Sequence, residues 1–269
     1  MKALAVWVAA ALLTMISAAQ AAEPITIGLS MELTGPFAVV GKTGLLAMQI
    51  WQDDVNAKGG LLGRPVKLVY YDDQSNPANV PGIYTKLIDI DKVNLLVSSY
   101  GTNLTVPAMP IAIQHNRLFF GLFALAANDK FHYPKYFSML SLGPDPQKTF
   151  STEFFALALA QNPKPKTIAI IGTDAEFQHK ATDSARENAK ASGIKVVYDQ
   201  AYPPTTVDFT PIVRAAASAQ PDLVYAASYP SDTVGSCAPS RKSASRPRCW
   251  GVPWPGRRRQ RSKCSSARR

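Results

Sequence analysis

The first 235 residues of this 269-residue chain contain no cysteine. No disulfide can stabilise that stretch, so a buried apolar core must do so. A different region lacks acid. Ser236 to Arg269 carries eleven basic residues, no acidic ones, and all three cysteines, Cys237, Cys249 and Cys264. Outside it the chain holds 18 basic and 19 acidic residues, close to neutral. The formal charge of +10 therefore speaks for a nucleic-acid or membrane-surface partner only through this tail.

Catalytic signatures are missing as well. There is no Gly-x-Ser-x-Gly elbow and no phosphate loop of the Gly-x4-Gly-Lys-Ser/Thr type. His115, His132 and His179 are scattered, and the cysteines form no Cys-x2-Cys pair, which argues against zinc. Asp53-Asp54 and Asp72-Asp73 are adjacent pairs, whose side chains diverge instead of facing each other for acid–base work. Asn103-Leu-Thr105 fits a glycosylation acceptor, a pattern common by chance. No enzyme, cofactor or metal is implied.

Long apolar runs are scarce too, with one exception. Met1-Lys2 precedes an apolar stretch from Ala3 to Ile16, followed by small residues at Ala19 and Ala21. The run is too short for a membrane anchor. It reads as a secretory signal peptide over residues 1–22, cleaved after Ala21 or Ala22, and predicts an exported, extracytoplasmic protein.

What is present is a rhythm. Apolar strand-like segments at Ile25–Met31, Val66–Asp72, Asn94–Ser98 and Leu118–Leu122 alternate with helical patterns at Gly41–Ala57, Asn79–Ile90 and Leu104–Gln114. Lys58-Gly59-Gly60 supplies a glycine helix stop. After Gly143-Pro-Asp-Pro146 the rhythm resumes, with strands at Thr167–Gly172, Ile194–Tyr198 and Leu223–Ala227 and helices at Phe150–Ala160, Ala175–Ser192 and Thr210–Ala219. Such alternation predicts an α/β fold, with parallel sheets covered on both faces in two lobes, residues 23–142 and 143–235.

The stretches "IGLSMELTGPFAVVGK", "DVNAKGGLLGRPVKLVYYDD" and "FTPIVRAAASAQPDLVYAASYPSDTVG" resemble the leucine/isoleucine/valine-binding protein family. The likeness runs from Ile25 to Gly235. It implies a type I periplasmic binding protein with two Rossmann-like lobes, crossed three times by the chain at a hinge and closing on a small molecule. It also implies an ABC permease at the inner membrane as partner, and no nucleic acid.

The resemblance makes the tail conspicuous. Another helix and strand should follow Gly235, yet residues 236–269 are rich in Pro, Arg and Ser without periodicity and are predicted to be disordered. In the adjacent reading frame Cys249-Trp250 must encode Leu, Trp250-Gly251 Gly, and Trp254-Pro255 Ala. The neighbouring codons permit Val-Leu-Gly-Gly-Ala-Met-Ala across Arg248 to Pro255. The expectation is a frameshifted tail and an incomplete second lobe, which would leave a sheet edge exposed; a genuine basic tail is the alternative.

In open α/β sheets, ligands bind beyond the carboxyl ends of strands. Ser98-Ser-Tyr-Gly-Thr-Asn103 is such an end and leads into a helix N-terminus, which favours an anion. The family likeness assigns a ligand carboxylate to this turn, with Tyr100 and the Thr102 hydroxyl in the site; a simple helix N-cap is the other reading of Thr102. It assigns the ligand's amino group to the Phe123-Ala-Leu125 segment. Leu125 stands where the family carries a threonine, so an aromatic or aliphatic carboxylate without an amino group is an alternative to a branched-chain amino acid. Phe177 and Tyr229 match family aromatics that cover the ligand; ordinary core packing is the other reading of each.

Overall fold

A computed structural model describes residues 23–140, 142–230, 232–233, 235–236 and 250–251. The expected signal peptide and nearly all of the basic tail lie outside the described residues. The chain divides into two compact units. Unit 1 comprises residues 23–100, Leu104–Leu122 and Phe131–Phe137; unit 2 takes Gly101–Asn103, Phe123–Lys130 and the described residues from Ser138 onward. The main division thus falls at Phe137/Ser138 instead of residue 143, and two short segments leave unit 1 for unit 2.

Unit 1 is built on a five-stranded sheet of order β2-β1-β3-β4-β5, formed by β1 (Ile25–Met31), β2 (Val66–Asp72), β3 (Leu95–Tyr100), β4 (Phe119–Leu122) and β5 (Tyr136–Ser138). The ladders β1–β2, β1–β3 and β3–β4 are all parallel. Six of the seven residues of β1 are buried, as a strand covered on both faces requires. One face carries Tyr84, Leu87, Leu96, Leu104, Met109 and Phe119. The other carries Ile27, Leu29, Met31, Leu45, Val66 and Leu68.

Three helices cover this sheet: α1 (Ala38–Ala57), α2 (Val80–Asp89) and a broken third. Helix α1 ends at the expected glycines. The Gly59 N–H returns to the Asn56 carbonyl and the Gly60 N–H to that of Val55, a Schellman closure that uses the left-handed φ of +95° and +80° at these residues. The Asn56 side chain then brackets Val66, accepting from its N–H at 2.7 Å and donating to its carbonyl at 2.9 Å. This fixes where β2 begins. The third helix, expected as one piece, is split into α3 (Thr102–Thr105), a 3-10 turn at Val106–Ala108 and α4 (Met109–Gln114). Pro107 and Pro110 remove the amide donors that a continuous helix would need.

Unit 2 has α5 (Pro146–Thr149), α6 (Thr152–Leu159), α7 (Glu176–Ala191) and α8 (Thr210–Ser218) around a sheet of order β7-β6-β8-β9. Its strands are β6 (Thr167–Thr173), β7 (Lys195–Tyr202), β8 (Leu223–Ala227) and the two-residue β9 (Trp250–Gly251), all joined by parallel ladders. Alternate residues divide between the faces. Ile168, Ile170, Leu223 and Tyr225 join one apolar cluster; Ala169, Ile171 and Val224 join the other. The α/β fold with parallel sheets is therefore as expected. Tail disorder was expected throughout 236–269; Ser236 is instead helical, and Trp250–Gly251 pairs with Val224 and Tyr225 of β8. β5 and α5 were not foreseen, being only three and four residues long.

Candidate ligand-binding site

The carboxyl ends of the unit 1 strands carry a dense polar belt. Asp72 closes β2. Its Oδ1 accepts from the backbone N–H groups of Leu33, Thr34 and Gln74, and its Oδ2 from the Thr34 hydroxyl at 2.7 Å. Partial burial works against its charge, but these donors win and hold Asp72 below its ordinary value. Ser75 adds a second clasp, donating to the Thr34 carbonyl and accepting from Phe37 N–H. The Thr34-Gly-Pro36 and Asp72-Asp73 motifs, 38 residues apart in sequence, are thus one hydrogen-bonded corner.

Behind that corner lie two fully buried carboxyls, Glu32 and Asp73. Asp73 accepts from the Ser99 hydroxyl at 2.8 Å and from Ser75 N–H at 2.9 Å. Ser99 in turn touches the Ser30 hydroxyl. Ser98 links β3 to β4 by accepting from Leu122 N–H at 2.7 Å. Tyr100, half-buried at the end of β3, has its hydroxyl pushed up in pKa by burial and by the neighbouring Glu32 charge.

Gly101, with φ of +91°, turns the chain out of unit 1. Thr102, whose hydroxyl was expected to face a ligand carboxylate, is buried and engaged within the chain. Its hydroxyl accepts from Leu125 N–H at 2.9 Å and donates to the Leu125 carbonyl at 3.3 Å. The Leu125 side chain lies in the apolar cluster of unit 2 with Phe155, Ile168 and Tyr225. Thr102 and Leu125 are thus brought together, but as a structural clasp: Leu125 offers backbone, not side chain. On either side of Leu125, Phe123 (φ +43°) and Ala126 (φ +57°) adopt left-handed backbone. For a bulky residue such as Phe123 that conformation is strained.

In unit 2, Phe177 is the second residue of α7, half-buried, with its ring edge-on to Phe150 at 5.4 Å. Tyr229 is buried just past β8, and its carbonyl accepts from Thr233 N–H at 2.9 Å. Unit 2 also holds a triad that the sequence reading missed. Thr173, Tyr202 and Asp232, from the carboxyl ends of β6 and β7 and the turn after β8, meet at the Asp232 carboxylate. Its Oδ2 accepts from Thr173 at 3.0 Å and from Tyr202 at 3.1 Å. The available signal was positional: each residue ends or follows a strand, as Glu32 does in unit 1. Among the described residues no cluster of His, Cys, Asp and Glu could hold a metal ion.

A family model described as periplasmic binding protein matches residues 24–241. Leu/Ile/Val-binding protein homolog 7 of Brucella melitensis is 28% identical over 230 residues, covering 81% of this chain and 55% of that protein. The chain spans about half the length of the curated relatives it matches. Its fold also matches a solute binding protein of an ABC transporter from Rhodopseudomonas palustris BisB5, solved with 3,4-dihydroxybenzoic acid. There the TM-score is 0.68 at 19% identity, over 81% of this chain and 58% of that one. A third match is the branched-chain amino acid transporter substrate binding protein LivJ of Streptococcus pneumoniae, solved with isoleucine. Its TM-score is 0.63 at 21% identity, over 76% and 57% of the two chains.

Proposed function

From the premise that the chain belongs to the periplasmic binding protein family, solute-binding proteins and not enzymes, we propose that it is the receptor of an ABC importer for a small carboxylate solute. The observation that carries this reading is the clasp at the carboxyl ends of β3 and β4. There Thr102 holds a backbone segment whose Phe123 and Ala126 are kept in left-handed conformations. Strain of this kind persists where the surroundings over-determine it, and it gathers at ligand clamps. Tyr100, Thr102, Phe123, Leu125, Phe177 and Tyr229 are the proposed ligand-binding set. Within it Thr102 acts by positioning Leu125, and Leu125 contributes backbone groups.

Both solved ligands named above, isoleucine and dihydroxybenzoic acid, carry a carboxyl group. A carboxylate without an α-amino group is the second reading. It is favoured by Leu125, whose side chain is apolar and turned into the core. We further propose that residues 1–22 direct export to the periplasm, that an inner-membrane permease is the partner, and that residues from 236 onward are read in a shifted frame. Nucleotide sequencing tests the last point: a shifted frame that does not encode Leu-Gly-Gly-Ala-Met overturns it.

The function is tested by a thermal-shift screen of the purified chain and of its frame-restored form. Branched-chain amino acids, hydroxybenzoates and aliphatic acids form the panel, with the matching amines as controls. At a hundredfold excess over Kd a specific ligand adds about 2.7 kcal/mol of stability. Stabilisation by a carboxylate but not its amine counterpart is expected. A frame-restored form that no carboxylate stabilises contradicts the proposal.

A further inference from the structure

Glu32 has no evident place in this function. It follows β1 directly, is fully buried, and neither carboxyl oxygen has a hydrogen-bond partner among the described residues. Helix α1 closes over it: a Cβ on Gly41 would lie 2.1 Å from the Glu32 carbonyl oxygen and 2.9 Å from its Cβ. Water cannot readily reach such a group, and an ionised carboxyl without donors is expensive there.

Its neighbour is the opposite case. Asp73 is equally buried but accepts from Ser99 and from Ser75 N–H. Two nearby carboxyls in one dry region do not both ionise easily, and the one with donors keeps the charge. We propose that Glu32 carries a proton at neutral pH while Asp73, next to it on the adjacent strand in the Met31–Asp72 register, keeps its charge, so that unit 1 loses stability as the pH rises.

The titratable groups that act on Glu32, or on which it acts, among the described residues are acidic or phenolic. Asp73 and Asp72 lie at the end of β2, Tyr84 on α2 and Tyr100 at the end of β3. Burial first, and then the Asp73 charge, lift the Glu32 carboxyl from 4.5 to about 8. The backbone N–H groups of Glu32 itself and of Tyr100 oppose this. Burial raises Asp73 as well, with the Ser99 and Ser75 hydrogen bonds opposing.

The sign follows from the proton count. Between pH 4.5 and about 8 the folded chain holds a proton that the unfolded chain has released. The stabilising contribution of Glu32 is complete below that interval, declines through it and is gone above it. Through it the unfolding constant rises by up to about tenfold per pH unit for one proton.

The test compares the full chain with Glu32→Gln from pH 5 to 9, by thermal melting and by infrared difference spectroscopy. Expected is a Tm that falls in the parent relative to the Gln variant from pH 5 to about 8 and runs parallel to it above. A protonated-acid carbonyl band should be present in the parent at pH 6.5, absent at pH 9.5, and missing from the variant. Parallel Tm curves, or a parent without that band at pH 6.5, overturn the proposal. The infrared arm on the parent stands even if the variant does not fold. Asp73→Asn should move the band's midpoint to lower pH; an unmoved midpoint rules out the influence of the Asp73 charge.

Discussion

In unit 1, Thr26 on β1 and Asn94 just before β3 exchange hydrogen bonds. Thr26 N–H donates to Asn94 Oδ1 at 2.8 Å, and Asn94 N–H donates to the Thr26 hydroxyl at 3.1 Å. Unit 2 repeats this with Thr167 on β6 and Asp222 just before β8. Thr167 N–H donates to Asp222 Oδ2 at 3.2 Å, and Asp222 N–H donates to the Thr167 hydroxyl at 2.9 Å. In each unit a threonine on the first strand and an Asx residue before the third set the register of adjacent parallel strands. An amide in one copy is a carboxylate in the other. Unit 2 gains from the charge, since Asp222 also accepts from Lys166 N–H at 2.8 Å.

The opposite ends of the same sheets diverge. Unit 1 packs Ser30, Glu32, Asp73, Ser98 and Ser99 into its carboxyl edge, all fully buried. Unit 2 has a smaller cluster, Thr173, Tyr202 and Asp232, centred on one carboxylate. The strand-start ends, which only have to fold, match. The carboxyl ends, where α/β sheets place ligands, differ.

The sharpest way to break the comparison is to empty each core in turn. Phe119 is fully buried with its ring edge-on to Tyr84 at 5.5 Å. Phe119→Ala should cost unit 1 about 3–5 kcal/mol, and Ile170→Ala should cost unit 2 about 2–5 kcal/mol. Urea unfolding followed by hydrogen exchange reads each unit separately; equal loss in both units from either change contradicts independent cores. Thr102→Val comes next. It leaves the buried Leu125 N–H unpaired, at about 1–3 kcal/mol, with protection lost first in Phe123–Lys130. The two latches give the smallest effects. Thr167→Val should cost about 1–2 kcal/mol and Thr26→Val about 0.5–1 kcal/mol, because the first breaks the Thr167 hydroxyl's bond to the Asp222 carboxylate. Equal costs would mean that the charge adds nothing.

Much of this was legible in the sequence. The strand at Leu223–Ala227 was expected at those bounds, and the Lys58-Gly59-Gly60 stop stands where α1 ends. Both rest on local signals, an apolar run and a residue that tolerates positive φ. The excursions of Gly101–Asn103 and Phe123–Lys130 into unit 2 were not legible, because a left-handed Phe123 has no sequence signature. Nor was the engagement of Thr102, since its partner lies 23 residues away. Glu32 was passed over because one acid after an apolar strand reads as the start of a turn. Only packing shows that α1 seals it.

The central claim is recognition of a carboxylate, and calorimetric titration addresses it most directly. The tightest ligand from the screen is titrated into the frame-restored chain beside its own methyl ester. Losing hydrogen bonds to a charged group costs about 1.5–3 kcal/mol, so the ester should bind roughly ten- to a hundredfold more weakly. An ester that binds as tightly as the acid would contradict the account.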